Sequence, residues 1–159
     1  MVRGLARGLA RAARPSLLLA GALPFLPLVF SRLGGLAALG DAIQIWFSLQ
    51  CHREAVRSFV VFSHQLPVCA RCFGIYLGLG LGALLVRPRL SPVMLRLCVA
   101  FAVLVMLLDV LTEVLAMRPE SAWLRLATGL LLSWPISAQL VLLARSHLNP
   151  NGNGGSLAR

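Results

Sequence analysis

Apolar residues in this chain come in long unbroken runs, not in the alternation of strands or the narrow stripes of soluble helices. The runs cover roughly 16–31, 68–86, 93–117 and 121–144. A helix rises about 1.5 Å per residue, so about 20 apolar residues cross the ~30 Å hydrocarbon core of a bilayer. The third and fourth runs meet that length. The second meets it if Arg71 and its neighbouring cysteines stand at the interfacial end. The first is short and interrupted by Pro24 and Pro27, which remove backbone donors and bend a helix. Residues 35–50 (GLAALGDAIQIWFSLQ) carry Asp41 and Gln44, which are costly in lipid, so they predict an interfacial or partly inserted helix. In residues 1–15, Arg3, Arg7 and Arg11 recur every four positions with Leu5 and Leu9 on another face. That pattern predicts a basic amphipathic helix lying on the membrane surface. A cleaved leader would share it, but the next run lacks a small-residue site followed by a polar region, which disfavours cleavage. The Asn/Gly-rich tail, 146–159, predicts disorder.

The expected fold class is therefore an all-α integral membrane bundle of about four transmembrane helices plus a short interfacial helix. A single domain, 16–145, stands between the basic segment 1–15 and the tail 146–159. Composition supports this: 58% of residues are hydrophobic and 13% charged, against about 25% charged in soluble domains. The net charge of +10 comes from fifteen arginines and no lysine. Such a basic chain first suggests nucleic acid, but the arginines are scattered between apolar runs with no basic domain to carry a duplex. The lipid bilayer, with its anionic headgroups, is the expected partner, and nucleic acid is not. Arginines gather at 3–14, at Arg87 and Arg89 with Arg96, and at Arg145. With four spans all three groups fall on one side, the cytoplasmic one. The chain is then expected to be a multi-pass protein of the cell inner (plasma) membrane with both termini cytoplasmic and the loop 32–67, which carries Cys51, His52 and His64, toward the outer side.

Candidate chemistry is concentrated in 22 residues: Cys51, His52, His64, Cys69 and Cys72. Nothing in bilayer packing asks for thiols and imidazoles together. Mixed Cys and His ligands suit tetrahedral zinc, or another thiophilic metal ion such as copper, and these five residues are the expected metal set. In Cys69-Ala-Arg-Cys72, two cysteines three apart at a helix start point toward one centre. The helix N-terminus favours thiolate there, and Arg71 is expected to add to that. A thiol–disulfide oxidoreductase would use the same pair, although only Cys51 is then available as a further outer thiol. Asp109 and Glu113, four apart on one helical face, lie within an apolar run, where carboxylates normally face protein or water. Folding the chain about 118–120 brings Glu113 level with Arg125 and Thr128. Asp109, Glu113 and Arg125 are thus candidates for a catalytic role, for a transporter or lipid-handling site, or for an ion pair that only locks helices together. Whether the chain is an enzyme stays open. Gly74, Gly78 and Gly82 form a ridge permitting close helix approach, either inside the bundle or in a homo-oligomer. Cys98 is expected to serve packing. There is no P-loop, no H-E-x-x-H and no C-x-x-C-H.

The string CHREAVRSFVVFSHQLPVCARCFGIYLGLGLG resembles the DUF2085 family of small prokaryotic integral membrane proteins, a domain of unknown function. The matching positions include Cys51, His52, Arg57, Ser58, Phe59, His64, Gln65, Pro67, Cys69, Arg71, Cys72, Gly74, Tyr76 and Gly78, then Asp109, Glu120, Ser121, Arg125, Thr128 and Gly129, over about residues 45–145. Phe73 stands where a small hydroxyl residue is usual, and Glu113 where an amide is usual. The resemblance implies one site spread over these positions and names no chemistry for it.

Overall fold

A computed structural model of the chain describes residues 2–51, 57–61, 64–86 and 91–148. The elements in order are α1 (Val2–Ala22), a 3-10 turn at Leu23–Phe25, α2 (Leu26–Phe30), a second 3-10 turn at Gly34–Leu36, α3 (Ala37–Gln50), β1 (Val60–Val61), β2 (His64–Gln65), α4 (Ala70–Leu85), α5 (Pro92–Val114) and α6 (Ala122–Leu148). The fold is all-α apart from one small hairpin, in which Val60 stands opposite Gln65 and Val61 opposite His64. Among the described residues, three segments are long and apolar enough to cross a membrane: Arg11–Phe30, Val93–Val114 and Ala122–Ser146. The apolar helix α4 is shorter, at 16 residues, or about 24 Å.

Where the sequence suggests a surface helix followed by a separate span, the chain instead forms one helix through Pro15. The Ser16 hydroxyl donates to the Ala12 carbonyl one turn back at 2.6 Å, a local bond of the kind that accompanies bent helices. The break comes at Pro24, where α1 gives way to the 3-10 turn. The segment 35–50 is helical as expected, in α3. Phe47 and Gly40 of α3 are buried, while Leu39, Ile45, Trp46 and Leu49 are exposed. One face of α3 thus seats on the protein and the opposite face is apolar.

Helix α4 is the hub, packed against α6 and α1, while α5 packs against α6. Small residues make this possible. An added Cβ at Gly74 would lie 2.2 Å from the Leu126 carbonyl oxygen, and at Gly82 2.4 Å from that of Trp134. From the other helix, a Cβ at Gly129 would lie 2.3 Å from the Arg71 carbonyl oxygen. The ridge expected at Gly74, Gly78 and Gly82 is therefore filled by α6. Of the two uses the ridge permits, close approach within the bundle is the one the fold shows, each of the three glycines being buried. On the other side of α4, Gly80 meets Gly21 of α1 backbone to backbone.

Directions follow from contacts. Arg14 Nε of α1 donates to the Ala83 carbonyl near the end of α4 at 3.2 Å. Phe25, beyond the other end of α1, packs edge-on to Phe73 near the start of α4, 5.5 Å between centroids. The two helices run antiparallel. The outward face of α5 is a continuous apolar surface that includes Leu97, Phe101, Leu104 and Leu108, as a lipid-facing helix requires.

At Gly78, an added Cβ would fall 2.0 Å from Ser133 Oγ and 2.8 Å from the Leu130 carbonyl. Gly78→Ala should lower stability by about 1–3 kcal/mol, the usual cost of overpacking. Gly35→Ala, with nothing within 4 Å of its Cβ, should leave thermal unfolding in detergent essentially unchanged.

Candidate metal centre

Two elements carry the cysteines, and the hairpin between them brings them together. Cys51 ends α3: its N–H still bonds the Phe47 carbonyl at 3.0 Å, while its own backbone has turned extended. Cys69 is the N-cap of α4, so its side chain stands beside the free N–H groups of the first turn. Cys72 lies one turn into α4. Between Cys51 and Cys69 the hairpin returns the chain: Leu66 N–H bonds the Phe59 carbonyl at 2.9 Å, and Leu66, Pro67 and Val68 are buried. The result brings the ligand atoms of Cys51, Cys69 and Cys72 within 4.8 Å of one another. All three are free thiols, and Cys51 is buried. The Cys69 N–H donates to Cys51 Sγ at 3.3 Å.

An aromatic wall lines this corner, with Cys51 buried and Cys69 and Cys72 half-buried. Phe47 meets Tyr76 edge-on at 5.6 Å, and Phe59 meets Phe73 at 6.1 Å. Phe47, Leu66, Val68 and Phe73 form the adjoining core. Burial pushes the Cys51 thiol up. Cys69, at the helix N-cap, stands where the first-turn N–H groups favour a thiolate, the form that binds a soft cation.

His64 lies outside the group of mutually close ligand atoms: it is exposed on β2, beside a cavity shared with Ser31, Gln44 and Gln65. His52 lies outside the described residues. Cys98 sits half-buried on α5, apart from the other three thiols.

Arg71 does not serve the role expected from its place between the cysteines. Its Nη2 donates to Asp109 Oδ2 at 2.8 Å and to Glu113 Oε2 at 3.1 Å. Its guanidinium is committed to α5 and not to the cysteines. Arg125 Nε donates to the same Glu113 oxygen at 3.1 Å, its Nη2 to the other, and it also reaches Glu120 Oε2 at 3.4 Å. Asp109 accepts further from Arg118 and from the Thr128 hydroxyl at 3.2 Å. Arg57 forks onto Glu120, with Nε at 2.7 Å from Oε2. The Asp109 side chain is 3% exposed and that of Arg125 5%, so these charges stand in low dielectric and each needs its partners. Asp109, Glu113 and Arg125 thus do meet, as the folded-back hairpin predicts, joined by Arg71 from α4.

Arg118 escapes the sequence reading. It reaches Asp109 because α5 ends in a Schellman turn: Met117 N–H bonds the Thr112 carbonyl and Ala116 N–H the Glu113 carbonyl, each at 3.0 Å. Ala116 takes φ 52°, a position that usually holds glycine. The chain so reversed lays Arg118 back along α5, its Nε on Thr112 Oγ1 at 3.1 Å.

A model of the family described as predicted membrane protein (DUF2085) matches residues 51–138. That is over half the chain, and the chain belongs to this family. Relatives include an uncharacterised protein of Methanocaldococcus jannaschii, 31% identical over 115 residues, 63% of this chain and 73% of the relative. Another is an uncharacterised protein of Methanothermobacter thermautotrophicus, 34% identical over 87 residues, 53% of this chain and 78% of the relative. No solved structure matches.

Removing one partner of a buried ion pair leaves the other charge uncompensated. Arg125→Gln should destabilise the protein by about 3–5 kcal/mol, whereas Arg57→Gln at the exposed end of the network should do far less; chemical unfolding in mixed micelles reads both. Ala116→Gly should raise stability, since relief of about 1–2 kcal/mol of left-handed strain exceeds the added flexibility of the unfolded glycine.

Proposed function

We propose that this membrane protein of the DUF2085 family holds a thiophilic metal ion, zinc foremost, on Cys51, Cys69 and Cys72, with His52 or His64 as the fourth ligand. The observation carrying this is the convergence of three sulfurs from the end of α3 and the start of α4 to within 4.8 Å. Zinc–sulfur bonds of about 2.3 Å in a tetrahedron place sulfurs about 3.8 Å apart. His52 follows Cys51 directly, and His64 lies on the hairpin that links the two Cys-bearing elements. The ion would tie α3 and the hairpin to α4, fastening the interfacial layer to the bundle. Zinc is favoured over copper because a mixed thiolate and imidazole set suits it and leaves no redox demand.

In this reading α1 with α2, then α4, α5 and α6 make four spans. Helix α4 is completed by the buried Leu66–Val68 segment before it. The arginine-rich end lies in the cytoplasm, and the metal centre faces the outer side of the plasma membrane. Asp109, Glu113 and Arg125 act as the lock between helices, because each spends its charge on the others, on Arg71 or on Arg118.

One observation favours a second reading. Two free thiols three residues apart at the start of α4, with their sulfurs close together, are also what a membrane thiol–disulfide oxidoreductase needs. That chemistry would require a two-electron acceptor for the Cys69–Cys72 pair.

Protein purified without chelators under reducing conditions should carry about one zinc per chain. Cys51→Ser, Cys69→Ser and Cys72→Ser should each lose it, and Cys98→Ser should retain it. A metal-free wild type with Cys69 and Cys72 joined in a disulfide would remove the metal reading and support the redox one.

A further inference from the structure

Two centres meet at one residue. The backbone of Arg71 belongs to the turn that presents Cys69 and Cys72, and its carbonyl is pressed against Gly129 of α6. Its guanidinium belongs to the carboxylates of α5. Helix α5 packs on α6, while α4 packs on α6 and α1; Arg71 is the side chain that reaches from α4 to α5 at this end. Thr128 and Gly129 complete the junction from α6. The Thr128 hydroxyl bonds the same Asp109 oxygen that Arg71 holds, and Gly129 leaves room for the Arg71 carbonyl.

We infer that Arg71 is a positioning residue that links occupancy of the cysteine centre to the docking of α5. The linkage rests on the metal reading above and adds a regulatory property to it. A metal drawing Cys69 and Cys72 together fixes the first turn of α4, and with it the origin of the Arg71 side chain. Fixing that origin favours the geometry in which one Nη2 bridges Asp109 and Glu113. Coupling between sites is reciprocal, so weakening the carboxylate end must weaken metal binding, although no residue of α5 supplies a ligand. The network is suited to such linkage. Asp109, Arg125 and Thr128 are buried while Arg71, Glu113 and Arg118 are half-buried, and Arg71 Nε is itself buried with no partner. Arg71 is therefore held by its Nη2 contacts alone and responds to small shifts of either helix.

The test is zinc affinity of the full chain in nanodiscs, by chelator competition, for wild type, Arg71→Gln, Asp109→Asn and Arg118→Gln. Amide hydrogen exchange over residues 115–121, with and without zinc, accompanies it. Arg71→Gln and Asp109→Asn should each weaken zinc binding by roughly 5- to 150-fold, the usual span of coupling between sites. Arg118→Gln removes a charge from the same carboxylate without touching α4 and should weaken it less than either. Zinc should slow exchange in the 115–121 turn of wild type but not of Arg71→Gln. If Arg71→Gln does not fold, Asp109→Asn and Glu113→Gln carry the test from α5 alone. Unchanged affinity in the folded variants would overturn the linkage, as would equal losses in Arg118→Gln, which would show general loosening. A wild type that binds no zinc would overturn the metal reading and the linkage together, whereas zinc bound equally by wild type and variants would overturn the linkage alone.

Discussion

Close approach of α4 and α6 is the constraint on which the rest of the molecule depends. In a bilayer, burial of apolar surface gives helices little reason to associate, because lipid is as apolar as leucine. Dispersion between backbones and polar contacts must do the work instead. Gly74, Gly78 and Gly82 on one helix and Gly129 on the other remove the side chains that would hold the backbones apart. The Ser137 hydroxyl then reaches across to the Leu79 carbonyl at 2.6 Å. Once this seam is fixed, the first turn of α4 stands beside the first turns of α6. That brings Arg71 to the carboxylates of α5 and sets Cys69 and Cys72 at the end of the bundle.

A second consequence concerns how charge is tolerated. Arg125, Glu113, Arg71 and Asp109 alternate in sign through space and draw on three helices. Alternation keeps each charge between opposite neighbours, which is the arrangement in which buried ionic groups survive. Such networks contribute more to defining one packing than to net stability. Here they define how α5, otherwise lipid-exposed over much of its length, sits against the bundle. Glu113 gives Arg125 and Arg71 a common ionic partner.

Much of this was legible in the sequence, for identifiable reasons. Long apolar runs locate α4, α5 and α6 within a few residues because lipid imposes length and composition directly on a helix. Polar positions at Asp41 and Gln44 separate α3 from the spans for the same reason. Asp109, Glu113 and Arg125 could be matched by depth alone, because a hairpin of two helices has a single register about its turn. Clustering of Cys51, Cys69 and Cys72 pointed to their convergence, since the short connection between α3 and α4 limits how far they can part. What stayed hidden depended on three-dimensional detail. Continuity of α1 through Pro15 runs against a strong local breaker. The path of Arg118 follows from a left-handed alanine at position 116, which composition does not advertise. The direction of the Arg71 side chain is hidden because nearness in sequence to two cysteines does not bring a long side chain's guanidinium to them. The glycine ridge was correctly seen as a close-contact surface, but its partner, α6, could be assigned only in the fold.

The most direct test of the account is X-ray absorption at the zinc edge on chelator-free, reduced protein in nanodiscs. Coordination by three sulfurs at about 2.3 Å, with one nitrogen or oxygen completing a tetrahedron, is the result expected from Cys51, Cys69 and Cys72. A first coordination sphere of nitrogen and oxygen alone would contradict it, because the convergence of the three cysteines would then serve something other than a metal.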